Sequence, residues 1–246
     1  MAKLTLLRHG ESLWNREKRF TGWTDVGLTP RGVAQAERSG ALLAAHGFAF
    51  DVCFTSQLQR ATETLRIVLE TMGATAVRVH QSWRLNERHY GALQGLTRWE
   101  ATRRYGARRM VAWQREFTAK PPALESHRSI DEQSPGHDPR HDALRGTELR
   151  PAESLADTLA RLLPLWEEAI VPELQRGMRV LVVSHHNTLR VLVKHLDGIG
   201  DAGIVRVRIP TGKPLVYELE GSMHPVGRYY VTRAPGRWGS AAAVSR

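Results

Sequence analysis

The chain has 246 residues, of which 41% are hydrophobic, so it is long enough to bury the core of one α/β domain spanning residues 1–246. Its formal net charge of +10 favours anionic partners such as phosphorylated metabolites, nucleic acid or acidic membrane surfaces. The single cysteine, Cys53, excludes an internal disulfide; with neither a secretion signal nor a run of about 18 apolar residues, we expect a cytoplasmic protein without a membrane span.

The first part of the chain alternates between strand and helix patterns. Short apolar runs predict strands at residues 3–7, 52–54 and 77–79. Apolar side chains at a spacing of three to four residues predict helices over residues 30–46 and 58–72, each followed by a glycine. This order indicates an α/β fold in which a mostly parallel central sheet is flanked by helices.

The pattern changes between residues 96 and 150, and we interpret this segment as an insertion over the active site. Its first part is basic and helical in pattern, whereas its second part is rich in proline and has little regular structure. The elements predicted after it are a helix over residues 155–170, a strand over 179–184, a helix over 187–196, and strands over 204–208, 214–219 and 228–231. Pro164 and Pro172 should kink or split the first of these helices. The small, polar residues 234–246 are expected to form a mobile tail.

Two predicted strands end in a histidine. His9 follows the first strand and His185 follows the strand at residues 179–184. Open α/β sheets bind ligands at the carboxyl ends of their strands, where one nitrogen of an imidazole can attack phosphorus while the other is held by a hydrogen bond. Neighbouring arginines, for which Arg8 and Arg60 are candidates, would disfavour the imidazolium and stabilise the transferring phosphoryl oxygens. Glu87, in a polar loop, is the candidate proton shuttle for the leaving oxygen.

Each of these residues also has a structural explanation when it is considered alone. A histidine at a strand end can be a hydrogen-bonded structural residue, and Arg60 can be a solvated helix residue. Glu87 can form a weak surface ion pair with Arg88. The spacing of the residues leaves both interpretations open.

Two other classes of function are also open at this stage. The arginines between residues 98 and 115 could form a nucleic-acid surface, although the interleaved aromatic residues of a stacking platform are missing. A metal site is also conceivable, formed either by His185, His186 and His195 or by His137 and His141. Pro139 would interrupt any helix that aligned the second of these sets.

Longer motifs identify a family. The most extensive are LRHGES at residues 7–12, RFTGW at residues 19–23 and LNERHYGALQG at residues 85–95. Shorter ones are WN at 14–15, PGHDPR at 135–140, LR at 189–190, LVK at 192–194 and IPTGKPLVYE at 209–218. In this order, over about residues 3–232, the chain resembles the cofactor-dependent phosphoglycerate mutases of the histidine phosphatase superfamily. RHG alone marks only the superfamily, whereas the run at residues 85–95 is far more specific.

The resemblance implies a role for each candidate residue. His9 would be phosphorylated by 2,3-bisphosphoglycerate, His185 would be the second histidine of the phosphate pocket, and Glu87 the proton donor and acceptor. Arg8 and Arg60 would be the arginines of that pocket. Further substrate contacts are implied at Ser12, Asn15, Thr21, Gly22, Arg88, Tyr90, Arg98, Gln114, Arg115, His186 and Asn187.

The implied reaction interconverts 3-phosphoglycerate and 2-phosphoglycerate in glycolysis and gluconeogenesis. Phosphorylated His9 gives its phosphoryl group to the free hydroxyl, the bisphosphate reorients, and the other phosphate returns to His9. The resemblance further implies a small phosphorylated substrate, no metal, no nucleic acid, no membrane, and a homo-oligomer, either a dimer or a tetramer.

Three positions depart from the family pattern. His186 stands where glycine is usual, Arg98 stands where a lysine is expected, and Gln114 with Arg115 replaces two arginines. These changes concern retention of the substrate rather than phosphoryl transfer. Because weaker retention would let water reach phosphorylated His9, the alternative is a phosphatase of the same superfamily that hydrolyses a small phosphorylated metabolite.

Overall fold

The computed structural model describes residues 1–74, 76–124 and 152–232. Its strands are β1 (Ala2–Arg8), β2 (Val52–Thr55), β3 (Arg78–Gln81), β4 (Val180–Ser184), β5 (Leu215–Leu219) and β6 (Pro225–Tyr230). Its helices are α1 (Leu13–Arg16), α2 (Pro30–Ala45), α3 (Gln59–Thr71), α4 (Arg98–Tyr105), α5 (Ala107–Arg115), α6 (Leu155–Leu165), α7 (Val171–Gln175) and α8 (His186–Leu196).

The strands form one six-stranded sheet in the order β3-β2-β4-β1-β5-β6. The pairs β3-β2, β2-β4 and β4-β1 are parallel, whereas β5 and β6 are added antiparallel at one side. The prediction of a mostly parallel sheet flanked by helices is confirmed. In the parallel register Arg8 lies beside Ser184, so the two strands that precede His9 and His185 end side by side.

The core lies on both faces of the sheet, which explains why its central strands are almost continuously apolar. Successive side chains of a strand point to opposite faces. Val180 and Val182 of β4 pack on one face with α6 and α8, whereas Leu181 and Val183 pack on the other with α2 and α3. All four are fully buried. Both layers of helices therefore hold β4, and with it His185, at a fixed position.

Three local predictions changed or gained detail. The strand predicted over residues 204–208 is wrong: Asp201–Arg206 is a 3₁₀ helix, because only Ile204 of this polar stretch is fully buried and β5 already occupies the edge of β1. The expected interruption by Pro164 and Pro172 is present as a π turn, Trp166–Ile170, between α6 and α7. The loop before α2 contains the single turn α1, which Ser12 caps.

The first part of the predicted insertion is helical, as expected. Helices α4 and α5 place Ala101 and Met110 against Phe20 and Leu93 in a small separate core, which fixes them beside the loop that follows β1. The motif at residues 135–140, His137, His141 and the tail at residues 234–246 lie outside the described residues. No helix in the described ranges has the length and apolar character needed to cross a membrane.

Candidate active site

The two histidines meet at the carboxyl ends of β1 and β4. The backbone N–H of His9 donates to the carbonyl oxygen of Ser184 at 3.0 Å, which continues the parallel ladder to the end of the sheet. The two imidazole rings are buried, with their centroids 5.0 Å apart and their planes at 58°. Two separate positions in the sequence therefore form one imidazole pair.

A hydrogen bond to the backbone shows which nitrogen of the His9 ring carries the proton. Nδ1 lies 2.6 Å from the carbonyl oxygen of Gly10, and because a carbonyl only accepts, Nδ1 carries the hydrogen and Nε2 keeps its lone pair. Burial, followed by the charges of Arg60 and then Arg8, holds the pKa of His9 well below its usual range. Neutral His9 with a free Nε2 is the protonation state of a nucleophile.

Close packing fixes the turn that follows His9. The N–H of Gly10 donates to Oγ1 of Thr64 at 3.1 Å, which ties the turn to α3. A Cβ at Gly10 would lie 2.3 Å from the carbonyl oxygen of Gly32, so only glycine fits against the start of α2. The carbonyl that orients the His9 ring is thus itself held by two helices.

Whereas His9 is held through Nδ1, His185 is held through Nε2 of its ring. Its Nε2 lies 2.7 Å from Oγ of Ser56, which also accepts the backbone N–H of Leu58 at 3.2 Å. Its Nδ1 is buried and has no hydrogen-bond partner in the described part of the chain. Burial, and then the charge of Arg60, also keeps the pKa of His185 well below its usual range.

Two buried arginines lie beside the histidine pair. Arg60 lies in the first turn of α3 and donates to the carbonyl oxygens of Thr24 and Gly22 at 2.9 and 2.7 Å, and burial lowers its pKa to about 10. Arg8 donates through Nη1 to the carbonyl oxygen of Ile209 at 3.0 Å, while its buried Nε has no partner among the described residues. Burial also lowers the pKa of Arg8. Neither guanidinium forms an ion pair within the described ranges, so both can bind an anion.

Glu87 is held by backbone donors from two elements. One of its carboxylate oxygens accepts the N–H of Arg88 at 2.8 Å and the N–H of Asn187 at 3.1 Å. Arg161 fixes the backbone of this loop, because it donates to the carbonyl oxygens of Asn86 and Glu87 at 2.8 and 3.0 Å. These contacts place the Glu87 carboxylate at the cavity that His9 faces.

A cavity of about 610 Å³ opens beside His9, while His185 lies outside its lining. The described residues that line it are Arg8, His9, Trp14, Asn15, Lys18, Arg19, Phe20, Thr21, Gly22, Arg60, Glu87, Tyr90, Arg98 and His186. Five of them are lysine or arginine, and Glu87 is the one acid of that set. This excess of positive charge suits a ligand with several negative charges.

His186 occupies the position next to the pocket histidine. Its Nδ1 lies 3.4 Å from Nη1 of Arg8 and 3.3 Å from the carbonyl oxygen of Ile209. Burial and the charge of Arg8 lower its pKa to about 3, so the ring is neutral at physiological pH. His186 therefore adds a polar but uncharged group to the cavity wall.

Some of the residues predicted to contact substrate lie outside the cavity lining. Arg88 is buried and donates to three backbone carbonyl oxygens, those of Glu153, Trp113 and Ala119, so it ties the Glu87 loop to the segment after α5. Ser12 caps α1, where it positions Asn15. Asn187 donates to the Tyr90 hydroxyl at 2.7 Å and thereby holds a lining residue. Gln114 and Arg115 lie at the end of α5, away from the lining.

Sequence reasoning missed several residues of the site. Trp14, Arg19 and Phe20 line the cavity, and although they belong to the quoted motifs, no role was predicted for them. Lys18 also lines it, between two motifs. Ser56 contacts His185 and directly follows β2, two residues after the end of the strand predicted over residues 52–54. These positions carry no sequence pattern of their own beyond their proximity to the motifs.

The arrangement fits an anion better than the metal site considered from sequence. Arg8 Nε and His185 Nδ1 are buried polar atoms that a phosphate oxygen could satisfy. Within the described ranges, no three His, Cys, Asp or Glu side chains lie close enough together to hold a metal ion, so His185, His186 and His195 form no such cluster. The residues present also suit a bisphosphate, since the cavity lining is cationic.

Comparison with solved structures gives similar folds over most of the chain. The mycobacterial glucosyl-3-phosphoglycerate phosphatase is 26% identical, with a TM-score of 0.66 and coverage of 89% of this chain and 93% of that one. The α-ribazole phosphatase of Shigella flexneri is 24% identical, with a TM-score of 0.64 and coverage of 89% and 91%. A mycobacterial protein described as hydrolase 1 is 23% identical, with a TM-score of 0.69 and coverage of 98% and 99%.

The family is shown by the sequence match itself. A family model described as the histidine phosphatase superfamily, branch 1, matches residues 4–136 and 129–229. These ranges include both histidines, both buried arginines and Glu87. The chain therefore belongs to branch 1 of the histidine phosphatase superfamily.

Proposed function

We propose that the protein is a phosphatase that hydrolyses a small phosphorylated metabolite through a phosphohistidine at His9. The observation that carries this proposal is the state of the His9 ring, which is neutral and has its Nδ1 proton committed to the Gly10 carbonyl. Nε2 is then the one nitrogen available to attack. Arg8 and Arg60 lie in the same cavity wall, where the three oxygens of a transferring phosphoryl group would meet them.

The reaction follows from these positions in two steps. In the first, Nε2 of His9 forms a bond to phosphorus while the bond between phosphorus and the ester oxygen breaks, and the Glu87 carboxyl gives its proton to the leaving oxygen. In the second, water attacks phosphorus, the bond to Nε2 breaks, and the Glu87 carboxylate takes the proton of the water. His9 is restored, and inorganic phosphate leaves.

The choice of water as the acceptor is supported by the structural relatives. Two of those compared above are described as phosphatases of small phosphorylated molecules, and one of these shares 26% of its aligned residues with this chain. The departure at His186 agrees with it, because a ring fills space where a glycine would leave room for a reorienting substrate.

Phosphoglycerate mutase is the second candidate, and two observations favour it. The sequence at residues 85–95 matches the mutases closely, and cationic side chains line the cavity both beside His9 and near Lys18. A bisphosphate could span these two groups, with 2,3-bisphosphoglycerate as the priming donor of the phosphoryl group. The same His9 chemistry would then return the group to a hydroxyl instead of to water.

One assay separates the two candidates. The protein is incubated with 3-phosphoglycerate, with and without catalytic 2,3-bisphosphoglycerate, while 2-phosphoglycerate and inorganic phosphate are followed together. Phosphate release in excess of isomerisation supports the phosphatase, and cofactor-stimulated isomerisation supports the mutase. His9→Ala should abolish both products and the acid-labile phosphoprotein, whereas His224→Ala, at an exposed position in the turn between β5 and β6, should change neither. Phosphoprotein that persists in His9→Ala would overturn the proposal.

A further inference from the structure

Ser56 and His185 share a hydrogen bond that is closed to solvent. Ser56 directly follows β2, and the parallel pairing of β2 with β4 brings the ends of the two strands side by side, with Thr55 beside Val183. Oγ of Ser56 lies 2.7 Å from Nε2 of His185, and both residues are fully buried. The hydrogen in this bond belongs either to the hydroxyl or to the ring, and its position decides which tautomer His185 adopts.

The partners of the Ser56 hydroxyl show which way its hydrogen points. A hydroxyl has one hydrogen to donate and two lone pairs that accept. Oγ of Ser56 accepts the backbone N–H of Leu58 at 3.2 Å, at the start of α3. Within the described residues, the one acceptor within hydrogen-bond distance of this hydroxyl is Nε2 of His185. The hydroxyl is thus held by α3 and has its hydrogen available for the ring.

Of the two neutral tautomers of His185, one leaves fewer buried polar groups unpaired. Burial, and then the charge of Arg60, holds the pKa of His185 well below its usual range, so the ring carries a single hydrogen. With that hydrogen on Nε2, the ring donates to Ser56, and both the hydroxyl hydrogen and the lone pair of Nδ1 lack a partner in the described part of the chain. With the hydrogen on Nδ1, Ser56 donates to Nε2 and only Nδ1–H is unpaired. Each unpaired buried group lowers stability, which favours the hydrogen on Nδ1.

Nδ1 of His185 is then a donor without an acceptor in a positively charged environment. The arginines whose charges act on this ring include Arg60 and Arg8, and each lowers its pKa. The centroids of the His185 and His9 rings are 5.0 Å apart, so a phosphoryl group on His9 enters the immediate surroundings of this donor. An oxygen of that group would supply both the missing acceptor and the missing negative charge.

We propose that Ser56 is a positioning residue, which holds neutral His185 with its hydrogen on Nδ1, so that the ring donates a hydrogen bond to the phosphoryl group transferred through His9. The proposal rests on the proposed function, because it concerns the same phosphoryl group. Ser56 lies outside the lining of the catalytic cavity and acts through the ring of His185. One buried hydroxyl on one nitrogen thereby makes the other nitrogen a donor.

The test compares three variants of the full chain. Ser56→Ala removes the hydroxyl, and Ser56→Thr keeps it in a conservative form. The matched control is Thr55→Val, which removes a neighbouring hydroxyl that is also buried and donates to the carbonyl oxygen of Val183 at 2.9 Å. The control therefore weakens the contact between β2 and β4 without removing the hydrogen bond to His185.

Nitrogen NMR of the protein labelled at its histidines measures the tautomer, with the His185 signals identified by their loss in His185→Asn. In the wild type we expect the hydrogen on Nδ1, and saturating inorganic phosphate should shift the Nδ1–H signal. Ser56→Ala should give a mixture of the two tautomers, whereas Ser56→Thr and Thr55→Val should keep the wild-type tautomer. A wild-type hydrogen on Nε2, a Nδ1–H signal that does not respond to phosphate, or an unchanged tautomer in Ser56→Ala would overturn the proposal.

Kinetics test whether the tautomer matters for phosphoryl transfer. In Ser56→Ala, kcat for phosphate release should fall about tenfold while KM changes less than about threefold, because the donor acts on the group in transfer more than on the bound substrate. Ser56→Thr should recover kcat, and Thr55→Val should keep it within about twofold. An equal loss of kcat in Ser56→Ala and Thr55→Val would mean that Ser56 is only structural, and would refute the positioning role.

The two measurements separate this proposal from the proposed function. If the wild type releases no phosphate while the tautomer, its response to phosphate and its dependence on Ser56 are as expected, the phosphatase fails and the role of Ser56 stands. If phosphate is released but Ser56→Ala keeps both the wild-type tautomer and the wild-type kcat, the role of Ser56 fails alone.

Discussion

Replacing Arg161 by methionine should destabilise the protein and displace Glu87. The Nε of Arg161 lies 2.7 Å from a carboxylate oxygen of Glu153, and the two side chains are 7% and 4% exposed. Arg161 also donates to the carbonyl oxygens of Arg84, Asn86 and Glu87. Methionine keeps much of the length of the side chain but removes the positive charge beside Glu153, which keeps the N–H of His89 as a donor. It also removes one donor from each of these carbonyls, of which those of Asn86 and Glu87 keep the Thr188 hydroxyl and the Trp23 indole N–H.

The expected loss of stability follows from the burial of the Arg161–Glu153 ion pair. Removing one partner of a buried ion pair costs about 3–5 kcal/mol, because the remaining charge is left uncompensated, so we expect a loss in that range for Arg161→Met. Removing both charges in a double variant, Arg161→Met with Glu153→Leu, should recover part of this loss, since no unpaired carboxylate remains. The kcat should fall as well, because the carbonyls of Asn86 and Glu87 each lose one of the two donors that hold this loop.

The loss of stability in Arg161→Met should also depend on pH, and the ion pair determines whether the loss grows or shrinks as the pH falls. In the wild type Arg161 holds the pKa of Glu153 below its usual value, although burial opposes this, so the carboxylate adds stability above the unfolded pKa and loses it as pH falls. Without Arg161, burial is opposed only by the hydrogen bond and charge of His89, so the pKa of Glu153 rises and the stability that the carboxylate adds above the unfolded pKa is reduced. The deficit of the variant should therefore be largest near pH 7 and shrink towards pH 4.

Chemical denaturation with urea between pH 4 and 7.5 measures this prediction, with phosphate release as the readout for Glu87. Arg66→Met is a suitable control, because Arg66 forms ion pairs with Glu63 and Glu70 on the exposed face of α3 and should leave the midpoint nearly unchanged. A loss below about 1 kcal/mol in Arg161→Met, or a deficit that grows on acidification, would refute the role assigned to the pair.

Two further predictions concern His9 and the turn after it. Because the pKa of His9 lies well below its usual 6.5, the rate of phosphohistidine formation, corrected for titration of the substrate's phosphate, should show no decline from His9 protonation as the pH falls through 6.5. A fall in this rate near pH 6.5 that titration of the substrate does not explain would contradict the prediction. Gly10→Ala should lose about 1–3 kcal/mol of stability and most of its activity, as its Cβ would meet the Gly32 carbonyl. Gly200→Ala, where a Cβ meets nothing within 4 Å, is the control, and equal denaturation midpoints for the two would count against close packing at Gly10.

The sequence predicted the fold and the position of the imidazole pair for a physical reason. Strands that are apolar without interruption are buried on both faces, and such strands belong to parallel sheets whose carboxyl ends share one edge. His9 and His185 each follow such a strand, so a common edge was expected for them. Their direct adjacency depends on β1 pairing with β4, and no pattern in either strand specifies that pairing.

The remaining features of the site depend on tertiary contacts that a sequence pattern does not record. Arg88 lies in a motif typical of ligand contacts, yet its guanidinium donates to backbone carbonyls within α5, after α5 and just before α6. Lys18 sits between motifs and reaches the cavity only because the bridge at Arg19 brings its loop to Thr97. Residues 204–208 alternate like a strand but form a 3₁₀ helix through Arg206, in which only Ile204 is fully buried.

Burial of the imidazole, and then the buried cations beside it, explain why the nucleophile can remain neutral. Arg8 and Arg60 are removed from water without forming ion pairs within the described residues, and burial lowers the pKa of both. This arrangement lowers stability, and it also opposes protonation of His9 and His185. A phosphoryl group entering between them would bring the missing negative charge and acceptors for Arg8 Nε and His185 Nδ1. The same uncompensated charge that keeps Nε2 of His9 unprotonated therefore attracts the group that it attacks.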